Sequence, residues 1–380
     1  MKKIFICAGE LSGDRLGAGL IQALKNLNPE IEFYGVAGPH MQAAGCKSLY
    51  PIETLSVMGI LEIVPKLPKI LKLRQQIIKE LINNPPDLYI GIDSPDFNLP
   101  IEEKLKSHGI KTIHYVSPSV WAWRANRVKK IKKSADLVLC LLPFEKDFLI
   151  KHGIHAKFVG HRSADILPKL YTQESARTEL GLNQHDKIIT ILPGSRHSEI
   201  ARMAETFFQT ACLCAQKNNQ LTFAVAAANQ KIAQQIQEIL NKNNYPIQFT
   251  IIIDKTYAAI KSADAVLATS GTVTLETFLL GKPMVVAYKM STFNWGIVNL
   301  LVKVKYCSLP NLLANKAIVP EFLQNDATAE KMSTALMNWL DNPQAVMQLQ
   351  EEYETILNQL RCNADEQAAQ AVLEVMAKKS

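Results

Sequence analysis

The sequence predicts an α/β protein of two domains, each a parallel β-sheet flanked by helices. Short apolar runs alternate with longer stretches of helical spacing from Ile4 onward, as expected of strand–helix–strand units with parallel strands. The pattern begins again after a linker at 161–168, so two sheets are expected. A length of 380 residues gives each half enough chain to bury its own core. The expected domains are 1–165 and 166–345, followed by helices at 346–380.

Composition narrows the class. With 48% hydrophobic and 20% charged residues the chain reads as globular, neither disordered nor collagenous. A net charge of +7 favours anionic partners without choosing among nucleic acid, membrane surface and phosphorylated substrate. The seven cysteines are scattered, and Cys212 and Cys214 lack zinc or redox spacing, so a reducing cytosol is expected. The opening MKKIFICAGE has too short an apolar run for a signal peptide, and no run is long enough to span a bilayer. The protein is expected to lie on a membrane rather than cross one.

The first half opens with strand 4–8, helix 16–27 and strand 31–36. The turn 9–17 lacks GxGxxG, and no GxxxxGK[ST] occurs in the chain, so neither a dinucleotide fingerprint nor a P-loop is present. Glu10, Ser12 and Asp14 nevertheless crowd the carboxyl end of the first strand, where open α/β sheets bind ligands. Helix capping alone would account for Ser12 and Asp14. Residues 55–81 change character: an apolar stretch is interrupted by Pro65 and Pro68 and seeded with Lys66, Lys69, Lys72 and Arg74. That mixture suits an interfacial segment, with Val57, Met58, Ile60, Ile63 and Val64 as acyl or membrane contacts. A core helix is the competing reading. Strand 88–92 then delivers Asp93 and Asp96 around Pro95, and a carboxylate there can take a proton from a hydroxyl or cap the next helix. Strand 112–116 ends in SPSVWAWR, and 124–133 holds six basic residues in ten without a nucleic-acid-binding motif. Strands 138–142 and 157–160 close the first half.

In the second half strand 187–192 ends in PGSRHSE, with Ser195 and Arg196 at the mouth of a helix. Arginine holds phosphate oxygens through a planar fork, although a salt bridge to Glu199 is the simpler use. Strands 221–226, 249–253, 265–268 and 284–288 follow. The third of these runs into Ser270-Gly271-Thr272 and a helix at 273–280. Free N–H groups and the positive dipole end at such a turn make an anion site, and diphosphate is the expected guest. Glu276, one turn on, can accept hydrogen bonds from a ribose or stand as a solvated carboxylate.

Two α/β halves with a nucleotide-type site in the second describe the GT-B glycosyltransferase architecture, two Rossmann-like domains facing each other across a cleft. The stretches GELSGDRLGAGL, GVAGPHMQAAGC, SVMGILEIV, GIDSPDFN, HYVSPSVWAWR, LPFEKDFL, LPGSRHSEI, TSGTVTLE, KPMVVAYKM and SLPNLLA occur in that order between residues 9 and 314. In them the chain resembles the lipid-A-disaccharide synthases of Gram-negative bacteria. The resemblance implies transfer of 2,3-diacylglucosamine from its UDP form to the 6-hydroxyl of 2,3-diacylglucosamine 1-phosphate. The products are UDP and a β-1,6-linked tetraacyl disaccharide 1-phosphate, with inversion at the anomeric carbon. It implies Asp96 as general base, oriented or supported by Asp93, and Asn311 as a residue important for activity. Ser195, Arg196, Ser270, Gly271 and Thr272 would hold the diphosphate and Glu276 the ribose, with Glu10, Ser12 and Asp14 facing the sugar or acceptor. No Asp-x-Asp pair occurs, so no metal or other cofactor is expected. The expected location is cytoplasmic, peripheral on the inner membrane and its anionic lipids. Nucleic acid is not an expected partner; GT-B architecture implies a terminal helix crossing back to the first domain, and its exchange between subunits would give a homodimer. The rival readings are another GT-B enzyme of UDP-sugars, of the peptidoglycan-precursor transferase or epimerase type, and a membrane-bound UDP-sugar sensor without turnover.

Overall fold

The structure, a computed structural model, describes residues 2–55, 60–120, 127–291, 295 and 305–377, the side chains of 53 and 60–66 excepted. The chain divides into two compact units, Met1–Arg162 with Gln359–Ser380, and Ser163–Asn358. The expected C-terminal segment is therefore split, and its last helix belongs with the first unit.

The first unit runs β1 (Lys3–Ala8), α1 (Leu11–Leu27), β2 (Glu32–Ala37), α2 (Pro39–Ala43), β3 (Cys46–Pro51), α3 (Ile60–Asn83), β4 (Leu88–Ile92), α4 (Pro95–Lys106), β5 (Thr112–Tyr115), α5 (Val128–Ser134), β6 (Leu137–Cys140), α6 (Pro143–Lys151) and β7 (Ala156–Phe158). Its seven strands are parallel in the order β3-β2-β1-β4-β5-β6-β7. Every residue of β4 is buried, as befits a strand covered on both faces. The order reverses between β1 and β4, which places the topological switch point where the chain leaves Ala8 and Ile92. On α4, Glu102 fixes the helix to the sheet through His114 Nδ1 at 2.7 Å. Both side chains are fully buried, and burial pushes the Glu102 carboxyl up against the pull of His114.

Two sequence expectations change here. Leu73, Ile77 and Leu81 of α3 are buried in the core with Phe5, Tyr89 and Ile101, so the later half of 55–81 is a core helix rather than an interfacial one. Its apolar residues recur at helical spacing because one face meets the sheet. Val57 and Met58 lie outside the described residues, as do the side chains of Ile60, Ile63 and Val64. The supposed linker holds a short helix, α7 (Arg162–Ile166), and a 3-10 turn at Leu167–Lys169. β3 is half-buried and has no apolar run to announce it. In the basic stretch, α5 buries Val128 and Ile131 while Lys129, Lys132 and Lys133 stay in solvent.

The second unit continues with α8 (Gln173–Leu180), β8 (Lys187–Leu192), α9 (His197–Lys217), β9 (Leu221–Ala227), α10 (Gln230–Asn243), β10 (Phe249–Ile253), α11 (Thr256–Ser262), β11 (Ala265–Thr269), α12 (Thr272–Leu279), β12 (Met284–Tyr288), α13 (Leu309–Ala314), β13 (Glu321–Leu323), α14 (Ala329–Asp341) and α15 (Pro343–Leu360). Its six parallel strands lie in the order β10-β9-β8-β11-β12-β13, with the switch point between β8 and β11. Phe207, Phe208, Met203 and Met332 pack with Ile189, Val225 and Leu267 on one face of this sheet. α16 (Ala364–Ala377) lies on α1 of the same chain, buries Ala368, Ala371 and Val372, and is tied by Arg162 Nε to Asp365 Oδ2 at 2.8 Å.

Candidate active site

The switch point of the first sheet is a tight place. A Cβ on Gly9 would stand 2.1 Å from Ser94 Oγ, so the turns after β1 and β4 pack together only because residue 9 is glycine. Backbone strain gathers beside it: Asp93, Ser94 and Val116 have φ of 50°, 46° and 81°. A left-handed β-branched valine costs on the order of 1–2 kcal/mol, and such strain clusters where function demands a fixed geometry. Asn98 supports the turn by donating through Nδ2 to the Asp93 carbonyl at 2.8 Å, while its Oδ1 accepts from the Tyr89 hydroxyl at 2.8 Å. The Asp93 N–H donates to the Tyr115 carbonyl at 2.8 Å.

Asp96 emerges on the first turn of α4 with its side chain 78% exposed. Arg127 Nη2 meets its Oδ1 at 2.7 Å, which leaves Oδ2 without a partner among the described residues. Glu10 and Ser12 are exposed at the start of α1. Asp14 is not: it is fully buried and accepts the N–H groups of Gly38, His40 and Met41 at 2.8, 2.8 and 3.1 Å. Three donors at the start of α2 hold it inward, so it positions a loop and faces no substrate.

At the second switch point, β8 and β11 are neighbours with Leu192 opposite Ala268, so their turns lie side by side. In the first, Glu199 Oε2 accepts the N–H groups of Ser195 and Arg196 at 3.0 and 3.2 Å, and Oε1 meets Arg196 Nη1 at 3.0 Å. The salt bridge is present, and the Ser195 and Arg196 backbone donors are occupied by the chain's own carboxylate. Arg196 keeps 61% of its side chain in solvent. In the second turn Ser270 is occupied twice: its N–H donates to Ala287 and its hydroxyl to the Cys307 carbonyl, at 3.0 and 2.8 Å. It is a tether rather than a phosphate donor. The N–H groups of Gly271, Thr272 and Val273 have no partner among the described residues, and Gly271 and Thr272 are exposed. These are the open donors at the start of α12. One turn on, Glu276 Oε1 accepts from the Tyr257 hydroxyl at 3.1 Å.

Asn311 is fully buried and engaged at both ends of its amide. Nδ2 donates to the Val319 carbonyl and Glu321 Oε1 at 2.9 and 2.8 Å, and Oδ1 accepts from Ile318 and Val319 at 2.8 and 2.9 Å. It positions the loop and offers nothing to a substrate. The sequence reading missed Arg127, Asn98, Tyr257 and Glu321. Asn98 was within reach, since it closes the motif GIDSPDFN and follows Asp93 by little more than a helical turn.

The family model of lipid-A-disaccharide synthetases matches residues 4–372. A lipid-A-disaccharide synthase of Pseudoalteromonas translucida is 46% identical over 376 residues, covering 98% of this chain and 97% of its own. Another from Hahella chejuensis is 46% identical, covering 99% and 95%. Among solved structures, UDP-GlcNAc 2-epimerase from Neisseria meningitidis bound to UDP-GlcNAc has a TM-score of 0.66 at 14% identity over all of both chains. Anabaena Alr3699/HepE in complex with UDP and glucose has 0.58 at 13%, covering 98% of this chain and 100% of its own. These likenesses show the GT-B fold. The family match across nearly the whole sequence, on two sheets whose switch points carry the Asp96 and Gly271 turns, makes this chain a member of the lipid-A-disaccharide synthetase family, which are glycosyltransferases.

Proposed function

We propose that the chain transfers 2,3-diacylglucosamine from UDP-2,3-diacylglucosamine to the 6-hydroxyl of 2,3-diacylglucosamine 1-phosphate, with inversion. The observation that carries this reading is the open start of α12 beside Arg196, at the switch point of the second sheet. The N–H groups of Gly271, Thr272 and Val273 would bind diphosphate oxygens, and the Arg196 guanidinium would offset the charge that builds on departing UDP. Glu276, steadied by Tyr257, would accept from the ribose hydroxyls. In the first unit Asp96 Oδ2 would take the proton of the acceptor hydroxyl, with Arg127 holding the other oxygen in place. Arg196 and the helix end supply positive charge without a metal, so activity is expected to survive EDTA. Loss on chelation with rescue by Mg²⁺ would contradict that.

Both substrates carry acyl chains, and the protein has a net charge of +7, so attachment to anionic lipids on the cytoplasmic face of the inner membrane is part of the proposal. No helix among the described residues is long and apolar enough to cross a membrane. The likeness to a UDP-sugar epimerase keeps that second reading in view. Incubation of the purified protein with UDP-2,3-diacylglucosamine, with and without the acceptor, separates them. Acceptor-dependent UDP release with a disaccharide mass is expected; a C2-epimeric sugar, or UDP release that ignores the acceptor, would overturn the transferase.

A further inference from the structure

One carboxylate holds residues 307–311. Glu321 opens β13, the edge strand of the second sheet, and its Oε2 accepts from the Cys307 N–H at 2.8 Å. Its Oε1 accepts from the Ser308 N–H, the Ser308 hydroxyl and Asn311 Nδ2 at 2.9, 2.6 and 2.8 Å. Ser308 and Asn311 are fully buried, so these donors have no water to turn to. On its other side the same loop grips the start of α12. The Cys307 carbonyl accepts the Ser270 hydroxyl at 2.8 Å, and Leu309 N–H donates to Thr274 Oγ1 at 3.3 Å. Thr274 in turn donates to the Gly271 carbonyl at 2.8 Å. A continuous chain of hydrogen bonds thus runs from the Glu321 carboxylate to the turn whose N–H groups stand open.

We infer that Glu321 is a positioning residue for the donor diphosphate: it sets the 307–309 loop against α12, and through Ser270 and Thr274 fixes where the Gly271–Val273 donors point. This rests on the UDP-sugar reading above. A carboxylate is required because four donors converge on it. A glutamine would keep the length but turn an NH2 group toward at least one donor, and so loosen the loop without emptying the space.

The test is UDP titration of wild type, Glu321→Gln, Ser270→Ala and the double variant, alongside KM for each substrate and the melting temperature. Glu321→Gln is expected to weaken UDP binding and raise the donor KM by about tenfold while leaving the acceptor KM unchanged. In the Ser270→Ala background the same change is expected to cost less, because one of the two tethers that transmit it is gone. Wild-type UDP affinity in a Glu321→Gln protein of lowered melting temperature would overturn the inference, as would fully additive effects. Should Glu321→Gln not fold, Ser308→Ala removes one donor and leaves the carboxylate in place. It is expected to weaken UDP binding about threefold, and unchanged binding would count against the role. Wild-type protein that fails to bind UDP would instead remove the donor reading itself.

Discussion

The two strand-end turns of the second unit, 193–196 and 269–272, share small residues, a glycine and a following helix, yet they are built in opposite ways. In the first, Gly194 has φ of 127° and a Cβ there would stand 2.6 Å from Glu199 Cβ. Its glycine is demanded from within, and the Ser195 and Arg196 N–H groups are filled by Glu199. In the second, nothing among the described residues lies within 4 Å of where a Gly271 Cβ would stand, and φ of 163° is open to any residue. Neither packing nor conformation asks for that glycine; a side chain would only obstruct what approaches the N–H groups. The first turn is a scaffold that presents a guanidinium, whereas the second leaves N–H groups open at a helix start, as the proposed diphosphate seat requires. Similar turn sequences can therefore be built in opposite ways.

Four variants sharpen or break that comparison when UDP binding is measured by titration. Arg196→Ala should have the largest effect, weakening UDP binding and lowering kcat/KM by about a hundredfold, with partial recovery in Arg196→Lys. An effect below threefold would deny the first turn its guanidinium role. Gly271→Ala comes next, with about tenfold weaker binding and no change in melting temperature. Gly194→Ala should show the reverse pattern, a stability loss of about 1–3 kcal/mol in denaturant with much less change in affinity of the folded protein. If both glycine variants behaved alike, the distinction would fail.

Lys282→Met, before β12 and away from either turn, is the control expected to leave UDP binding unchanged. Burial pushes the Lys282 ammonium from 10.5 down to about 7, with Lys261 and Arg177 adding to the shift against Asp264. Between those pH values the unfolded chain binds more protons than the folded one. Wild-type stability should therefore rise with pH across that window and fall away toward pH 7, by up to about 1.4 kcal/mol per unit, and Lys282→Met should lack that slope.

The strands that carry the site were legible because each is a short apolar run that ends in small or polar residues. Residues 88–92, 187–192 and 249–253 were bounded correctly on that pattern alone. β13 has three half-buried residues and no such run, so the strand bearing Glu321 left no mark. The roles of Asp14, Ser270 and Asn311 were hidden for another reason. Their residue types suit a ligand, but each meets partners within its own unit that only tertiary pairing supplies, such as the backbone of 38–41 for Asp14. Asp96 on α4 and Arg127 at the N-cap of α5 likewise belong to separate elements, and periodicity within either cannot bring them together. Turn position was readable; which donors a turn leaves open was not.

The most direct test of this division of labour is UDP titration of Gly271→Ala and Asp96→Asn beside wild type, with disaccharide formation followed in the same preparations. Asp96→Asn is expected to bind UDP as wild type does while losing at least about a hundredfold in turnover, and Gly271→Ala to lose UDP affinity. Weakened UDP binding in Asp96→Asn with turnover retained, or wild-type affinity in Gly271→Ala, would contradict the assignment of donor binding to the second unit and proton removal to the first.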